Sequence, residues 1–208
     1  MSAVLGGVRR WTWLFLATLG VILLILLWLS PAERTLGQTV KLVYLHGALV
    51  RTAMLLFAAS LPVNLVALLG RQSGWLAWGK ALIWTALAIW LVHTLFSMVT
   101  TYAAWGVFIA WFEPRTRFTF TVAVEGLLIV VIAYLVGDDR FSALAFVVLA
   151  GLTLALAPRL GAVQHPLNAI GSSSSGAIQA YYTTIWVVTL LMSILLAVWL
   201  HGRFAPGH

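Results

Sequence analysis

The sequence contains no cysteine and very little charge. Asp and Glu number only five, Lys and Arg number 12, and charged residues make up 8% of the 208 positions. The lack of cysteine excludes disulfides, thiolate metal sites and cysteine nucleophiles. Because a soluble domain carries about 25% charged residues, the lack of charge excludes a soluble globular enzyme, a disordered tail and a nucleic-acid-binding domain.

Long apolar segments take the place of that charge. Hydrophobic residues make up 62% of the chain, and a transmembrane helix needs roughly 20 of them in succession. Six segments reach or approach this length, at residues 11–30, 40–69, 75–104, 118–137, 141–158 and 177–200. Their apolar runs are continuous rather than alternating, which favours helices over strands. We therefore predict an all-α polytopic membrane protein, a single domain of six transmembrane helices over residues 1–208.

Six spans put both termini on the same side of the bilayer. With a cytoplasmic N-terminus, six basic residues flank the inner side and five flank the outer side. The positive-inside rule favours this orientation, although by one residue only. We expect a multi-pass protein of the cell inner (plasma) membrane, in contact with the lipid bilayer.

Two histidines lie in segments that the alternation of spans puts at the outer face. His46 follows the start of the second span, and His165 precedes the last span. Neutral imidazole is a common axial ligand of haem iron. The outer loop between spans three and four carries aromatic and arginine side chains, which suit a flat apolar macrocycle with acidic substituents, or alternatively a quinone head group. The competing interpretation is structural: His46 hydrogen-bonds to a neighbouring helix and His165 is solvated.

Three ionisable residues lie deeper in the predicted spans. Arg51 in span two and Glu125 in span four have similar predicted depths, which predicts an ion pair between them, with His93 of span three nearby. Ionisable side chains at such depth are costly, usually paired and often functional. Two interpretations stay open: the pair fixes helix packing, or Arg51 meets a ligand carboxylate such as a haem propionate.

Three elements of the outer face, in this order along the chain, resemble a known family. The first is PAE at residues 31–33, followed by Gly37 and by KLVYLH at 41–46; the second is the loop 105–115, from WG to EPR; the third is QHP at 164–166. Together with six spans, they resemble the CcmC-type haem-handling membrane proteins of cytochrome c maturation, of which this chain would be a divergent member. The resemblance covers nearly the whole chain.

This resemblance implies a cofactor, a set of site residues and a class of partners. His46 and His165 would be the axial ligands of a b-type haem, bound permanently or in passing. The residues implied to form the platform for the macrocycle and to neutralise a propionate are Trp105, Gly106, Trp111 and Arg115. The family presents haem to a partner chaperone with the help of an ATP-driven transporter, and it catalyses no bond change. The resemblance therefore implies haem transport during cytochrome complex assembly and no enzyme activity.

Two other functions fit the sequence. One is a structural or electron-transfer subunit of a larger membrane redox complex, recruited from the same ancestry. The other is a small transporter that uses Arg51, Glu125 and His93 as a relay, although internal repeats typical of transporters are not visible. A hydrolase is disfavoured because the sequence has no G-x-S-x-G turn, Walker loop or metalloprotease motif.

Overall fold

A computed structural model describes residues 2–70, 73–161, 170 and 173–205. Within these residues the chain is helical and has no strand beyond one isolated bridge between Glu33 and Gly37. Six helices are long and apolar enough to cross a membrane. Their bounds are α1 Ser2–Leu29, α2 Val40–Gly70, α3 Ser73–Trp105, α4 Pro114–Val136, α5 Asp139–Leu156 and α6 Gly176–Phe204. The prediction of an all-α, six-span membrane protein is confirmed.

Local sequence signals set both ends of α4 and the start of α5. Pro114 occupies the first turn of α4, where its missing N–H costs no hydrogen bond. The helix ends at Gly137, whose φ of 67° lies in the left-handed region that glycine adopts readily. Asp138 then caps α5, because its side chain accepts a hydrogen bond from the Phe141 N–H at 2.6 Å. A single 3₁₀ turn, Ala157–Arg159, follows α5.

Helix α2 lies at the centre of the bundle. It packs most extensively against α3 and also contacts α5 and α6, while α4 packs against α3 and α5, and α1 against α6. The main core lies between α2, α3, α4 and α5 and includes Phe57, Trp90 and Phe146. The Trp90 indole N–H donates to the Thr119 carbonyl at 2.9 Å, which ties α3 to α4 inside this core.

Large apolar side chains also cover the outside of the helices. Trp28 and Leu24 of α1 are 81% and 68% exposed, and Tyr134 and Leu135 of α4 are 81% and 75% exposed. In water such continuous apolar faces would drive aggregation. In a bilayer they face the hydrocarbon and leave the backbone polar groups paired within the helices. The exposed surface therefore agrees with a multi-pass membrane protein.

Candidate functional site

A cavity of about 730 Å³ opens at the end of the bundle where three connecting segments meet. Glu33 from the α1–α2 connection, Glu113 from the α3–α4 connection, and Leu160 and Ser173 from the segment between α5 and α6 all border it. Its volume lies within the range of roughly 300–1,000 Å³ that is typical of pockets for small molecules and cofactors. The alternation of spans thus correctly predicts that these connections share one face.

The surface of the cavity walls is mainly apolar, although polar side chains line it from all three connecting segments and from α2, α3 and α4. Helices α2, α3, α4 and α6 supply the apolar side chains, among them Val43, Met54, Trp90, Phe118 and Ile178. The polar lining residues of α3 follow helical spacing and therefore form one stripe down the helix; they are His93, Ser97, Thr100 and Thr101.

Two imidazoles lie side by side at the cavity. The ring centroids of His46 on α2 and His93 on α3 are 4.4 Å apart, with their planes tilted by 35°. His93 is only 2% exposed, and the Trp90 ring packs at 5.4 Å from it. Its Nδ1 atom is buried and has no hydrogen-bond partner among the described residues. The imidazole side chains of His46 and His93 therefore form a contacting pair in the lining of the cavity.

Helix α6 packs closely against α2 next to His46. The residue after His46 is Gly47, and a methyl group there would lie 3.3 Å from the Tyr182 ring. The absence of a side chain at position 47 thus allows Tyr182 to approach the backbone of α2. This contact limits the room that α2 has to rotate or shift beside His46.

Opposite charges and one indole border the cavity near the α3–α4 connection. Arg115, Glu113 and Trp105 all border it. Glu113 is 2% exposed, and the Trp105 ring lies 6.3 Å from the ring of Phe112. Glu33 borders the cavity from the α1–α2 connection, and its carboxylate accepts hydrogen bonds from two backbone N–H groups, which hold its pKa below the ordinary value of 4.5.

The other two platform residues implied by the resemblance do not border this cavity. Trp111 is 55% exposed and packs against Phe120 at 5.1 Å. Gly106 ends α3, because it adopts a φ of 73° and its N–H donates to the Tyr102 carbonyl at 2.9 Å. The turn at Gly106 redirects the chain, so that Trp105 borders the cavity and Trp111 lies on the surface.

The predicted ion pair between Arg51 and Glu125 is wrong. Helices α3 and α5 separate α2 from α4, and both charged side chains are exposed on the outside of the bundle. The Arg51 guanidinium stacks over the Trp186 ring at 4.2 Å. His93 lies inside, beside His46, rather than in a relay with these two residues.

His165 and its neighbours at 164–166 lie outside the described residues, so its role stays a prediction. The sequence analysis placed His93 near Arg51 and Glu125, whereas it lines the same cavity as His46. The helical spacing of His93, Ser97 and Thr101 could have indicated that His93 belongs to a polar face. Within the described part of the chain, no group of three or more His, Asp or Glu side chains is arranged to hold a metal ion.

Comparison with known proteins assigns no family to this arrangement. No family model matches the chain, and no curated protein matches it either.

Proposed function

We propose that this protein binds a b-type haem in the cavity at the outer face of the membrane and hands it to a partner protein. The observation that carries the proposal is the shared lining of the cavity: the imidazoles of His46 and His93, the indole of Trp105 and the guanidinium of Arg115 all border it. Three of these four residues are those for which the resemblance to CcmC-type proteins implies haem-site roles. The proposed role is haem handling in an inner (plasma) membrane, without bond chemistry of its own.

The lining suits haem in three respects. A porphyrin needs apolar walls, a nitrogen ligand for its iron and cations for its propionates. The apolar walls come from side chains such as Val43 and Phe118, the nitrogen from His46, and the cation from Arg115. When bound, the group would supply a ligand-binding, redox-active iron. The residues of this chain would orient it, exclude water from its apolar edge and neutralise a propionate.

The spacing of the two imidazoles distinguishes their roles. With metal–nitrogen bonds of ~2.0 Å, imidazoles on opposite sides of one metal ion have ring centroids roughly 6 Å apart. The His46 and His93 centroids are 4.4 Å apart, so the two rings are too close to bind one metal ion from opposite sides. In this proposal His46 would hold the iron, and His93, which packs against the His46 ring, would support it. His165 is the second residue that would hold the iron.

The experiment is an absorption spectrum and pyridine haemochrome assay of the purified protein. We expect a Soret band that is lost in the His46→Ala, His165→Ala double variant. The matched control is His201→Ala, because His201 stacks on Trp78 at 4.0 Å and does not border the cavity. A wild-type protein without haem after supplementation, or an unchanged Soret band in the double variant, would overturn the proposal.

Exposed aromatic side chains in the α3–α4 connection favour a second candidate function. Phe108, Trp111 and Phe112 are each more than half exposed, at 54%, 55% and 52%. Aromatic residues are enriched at protein–protein interfaces, so this surface suits a structural or electron-transfer subunit that docks onto redox partners. Stable co-purification with redox subunits in mild detergent would support this candidate, and purification of the chain alone would count against it.

The transporter alternative is less well supported. Its relay would need Arg51 and Glu125 in contact inside the bundle, whereas both side chains are exposed on the outer surface of the bundle.

A further inference from the structure

Two charged side chains project from the transmembrane surface of the bundle. Arg51 of α2 and Glu125 of α4 are both exposed, and neither forms an ion pair with another described residue. Charged residues within transmembrane segments almost always face a bundle interior or pair with one another. These two charges therefore point to a contact with a molecule outside this bundle.

The two residues lie equally far along their helices, which puts them at similar depth. Arg51 is eleven positions after Val40, the first residue of α2, and Glu125 is eleven positions after Pro114, the first residue of α4. Both helices begin at the face where the cavity opens and run in the same direction. At 1.5 Å per residue, each charge lies on the order of 16 Å from the outer helix end.

We propose that Glu125 of one copy of this chain pairs with Arg51 of a second copy, within the membrane. An assembly whose symmetry axis runs along the membrane normal keeps every residue at its own depth. A pair between two copies therefore requires two residues at similar depth, as Arg51 and Glu125 are. Each chain carries both charges, so Arg51 of one copy can meet Glu125 of another.

The environment of Arg51 suits such a contact. Its guanidinium stacks by one face on Trp186 at 4.2 Å, and a stacked guanidinium keeps its in-plane N–H donors for a carboxylate. Ala58 lies two turns further along the same exposed face of α2. Small residues at such positions let two transmembrane helices approach closely. The surface therefore combines a donor for the carboxylate with room for a neighbouring helix.

Cysteine cross-linking tests the contact directly, because the natural chain has no cysteine. Ala58 and Ile132 are each seven positions after Arg51 and Glu125, on the same exposed helix faces and again at equal depth. We expect Ala58→Cys and Ile132→Cys, on differently tagged copies, to form an intermolecular disulfide in phospholipid vesicles upon mild oxidation. The control combines Ile132→Cys with Leu14→Cys, on the exposed face of α1. Absence of the disulfide, or equal yield in the control, would overturn the proposal.

Charge exchange tests the pair itself. Glu125→Arg puts two arginines at the contact, and we expect it to reduce the oligomeric fraction in vesicles at least tenfold, as measured by single-molecule photobleaching. The Arg51→Glu, Glu125→Arg double variant restores opposite charges and should restore the oligomer. A wild-type protein that is monomeric in vesicles, a Glu125→Arg variant that stays oligomeric, or a double variant that remains monomeric while still folded by circular dichroism would each overturn the proposal. Absorption by haem is not used in either measurement, so the outcome is independent of the proposed cofactor.

Discussion

The imidazole rings of His46 and His93 lie with their centroids 4.4 Å apart on two helices that pack along most of their length. One ring borders the cavity from α2 and the other from α3. Their contact means that any movement of α3 relative to α2 changes the surroundings of His46. In the proposed haem site, the affinity for haem should therefore depend on His93, although His46 is the residue proposed to hold the iron.

We expect His93→Ala to weaken haem binding about 10–100-fold, the usual effect of removing a group that orients a metal ligand. The measurement is a haem titration of the purified protein, followed by its Soret absorption. Because His46 remains, the band should still appear at saturating haem, whereas His46→Ala should abolish it. An affinity equal to the wild type would contradict a supporting role for His93. Complete loss of the band would instead make His93 a ligand.

The number and approximate positions of the helices could be predicted from hydropathy, because six continuous apolar runs leave few alternatives, although α1 begins at Ser2, nine residues before the predicted start of the first span. The prediction for the fourth span began at residue 118, whereas α4 begins at Pro114. The difference arises because Arg115 and Arg117 are charged but still helical at the membrane edge. Parity of the spans also predicted correctly which connections meet at the cavity.

The lateral order of the helices could not be predicted from the sequence. Packed faces and lipid-facing faces are both apolar in a membrane, so hydropathy does not reveal which way a helix turns. Similar depth and opposite charge therefore predict an internal pair of Arg51 and Glu125, although α3 and α5 lie between their helices. For the same reason, the sequence does not identify His93 as the neighbour of His46.

We expect the carboxylate of Glu33 to make the α1–α2 connection sensitive to acid. It accepts hydrogen bonds from the N–H groups of Thr35 and Leu36, both at 2.8 Å, and these bonds lower its pKa from the ordinary value of 4.5. A lowered pKa in the folded state means that the stabilisation is present above pH 4.5 and is lost as the pH falls through the folded-state value. We expect amide hydrogen exchange at Thr35 and Leu36, corrected for its intrinsic pH dependence, to accelerate below pH 4.5.

Two comparisons complete the Glu33 experiment. Glu33→Gln should show faster exchange at these two amides already at neutral pH, with a much smaller response to acid. The Gly106 amide serves as the internal reference, because it donates to a backbone carbonyl, that of Tyr102. If Thr35 and Leu36 keep the same protection in Glu33→Gln, the carboxylate does not hold this connection.

The N-terminal cap of α5 gives a prediction about stability. The Asp138 side chain accepts a hydrogen bond from the Phe141 N–H at 2.6 Å. Replacing an N-cap of this type by Ala typically costs ~1 kcal/mol, so Asp138→Ala should lower the thermal unfolding temperature in detergent. Asp138→Asn is the matched control, because asparagine caps a helix about as well as aspartate. Equal losses in both variants would show that the charge of Asp138 matters rather than its hydrogen bond.

The contact between α3 and α4 depends on a glycine. A methyl group at Gly126 would collide with the Cδ2 atom of Leu87, a core side chain that is 2% exposed. Leu87 has little room to move, so Gly126→Ala forces the two helices apart, and overpacking of this kind costs about 1–3 kcal/mol. We expect a lower unfolding temperature for the detergent-solubilised protein, measured by circular dichroism.

Gly151→Ala separates this steric effect from the general effect of alanine in a helix. A methyl group at Gly151 meets only Leu61, at 4.0 Å, which is ordinary van der Waals contact. Since alanine favours a helix over glycine by roughly 0.5–1 kcal/mol, Gly151→Ala should leave the unfolding temperature unchanged or raise it. Opposite signs for the two substitutions would establish that the close approach at Gly126 holds α4 against α3. A gain in stability from Gly126→Ala would show that α3 and α4 leave room for a methyl group at this position.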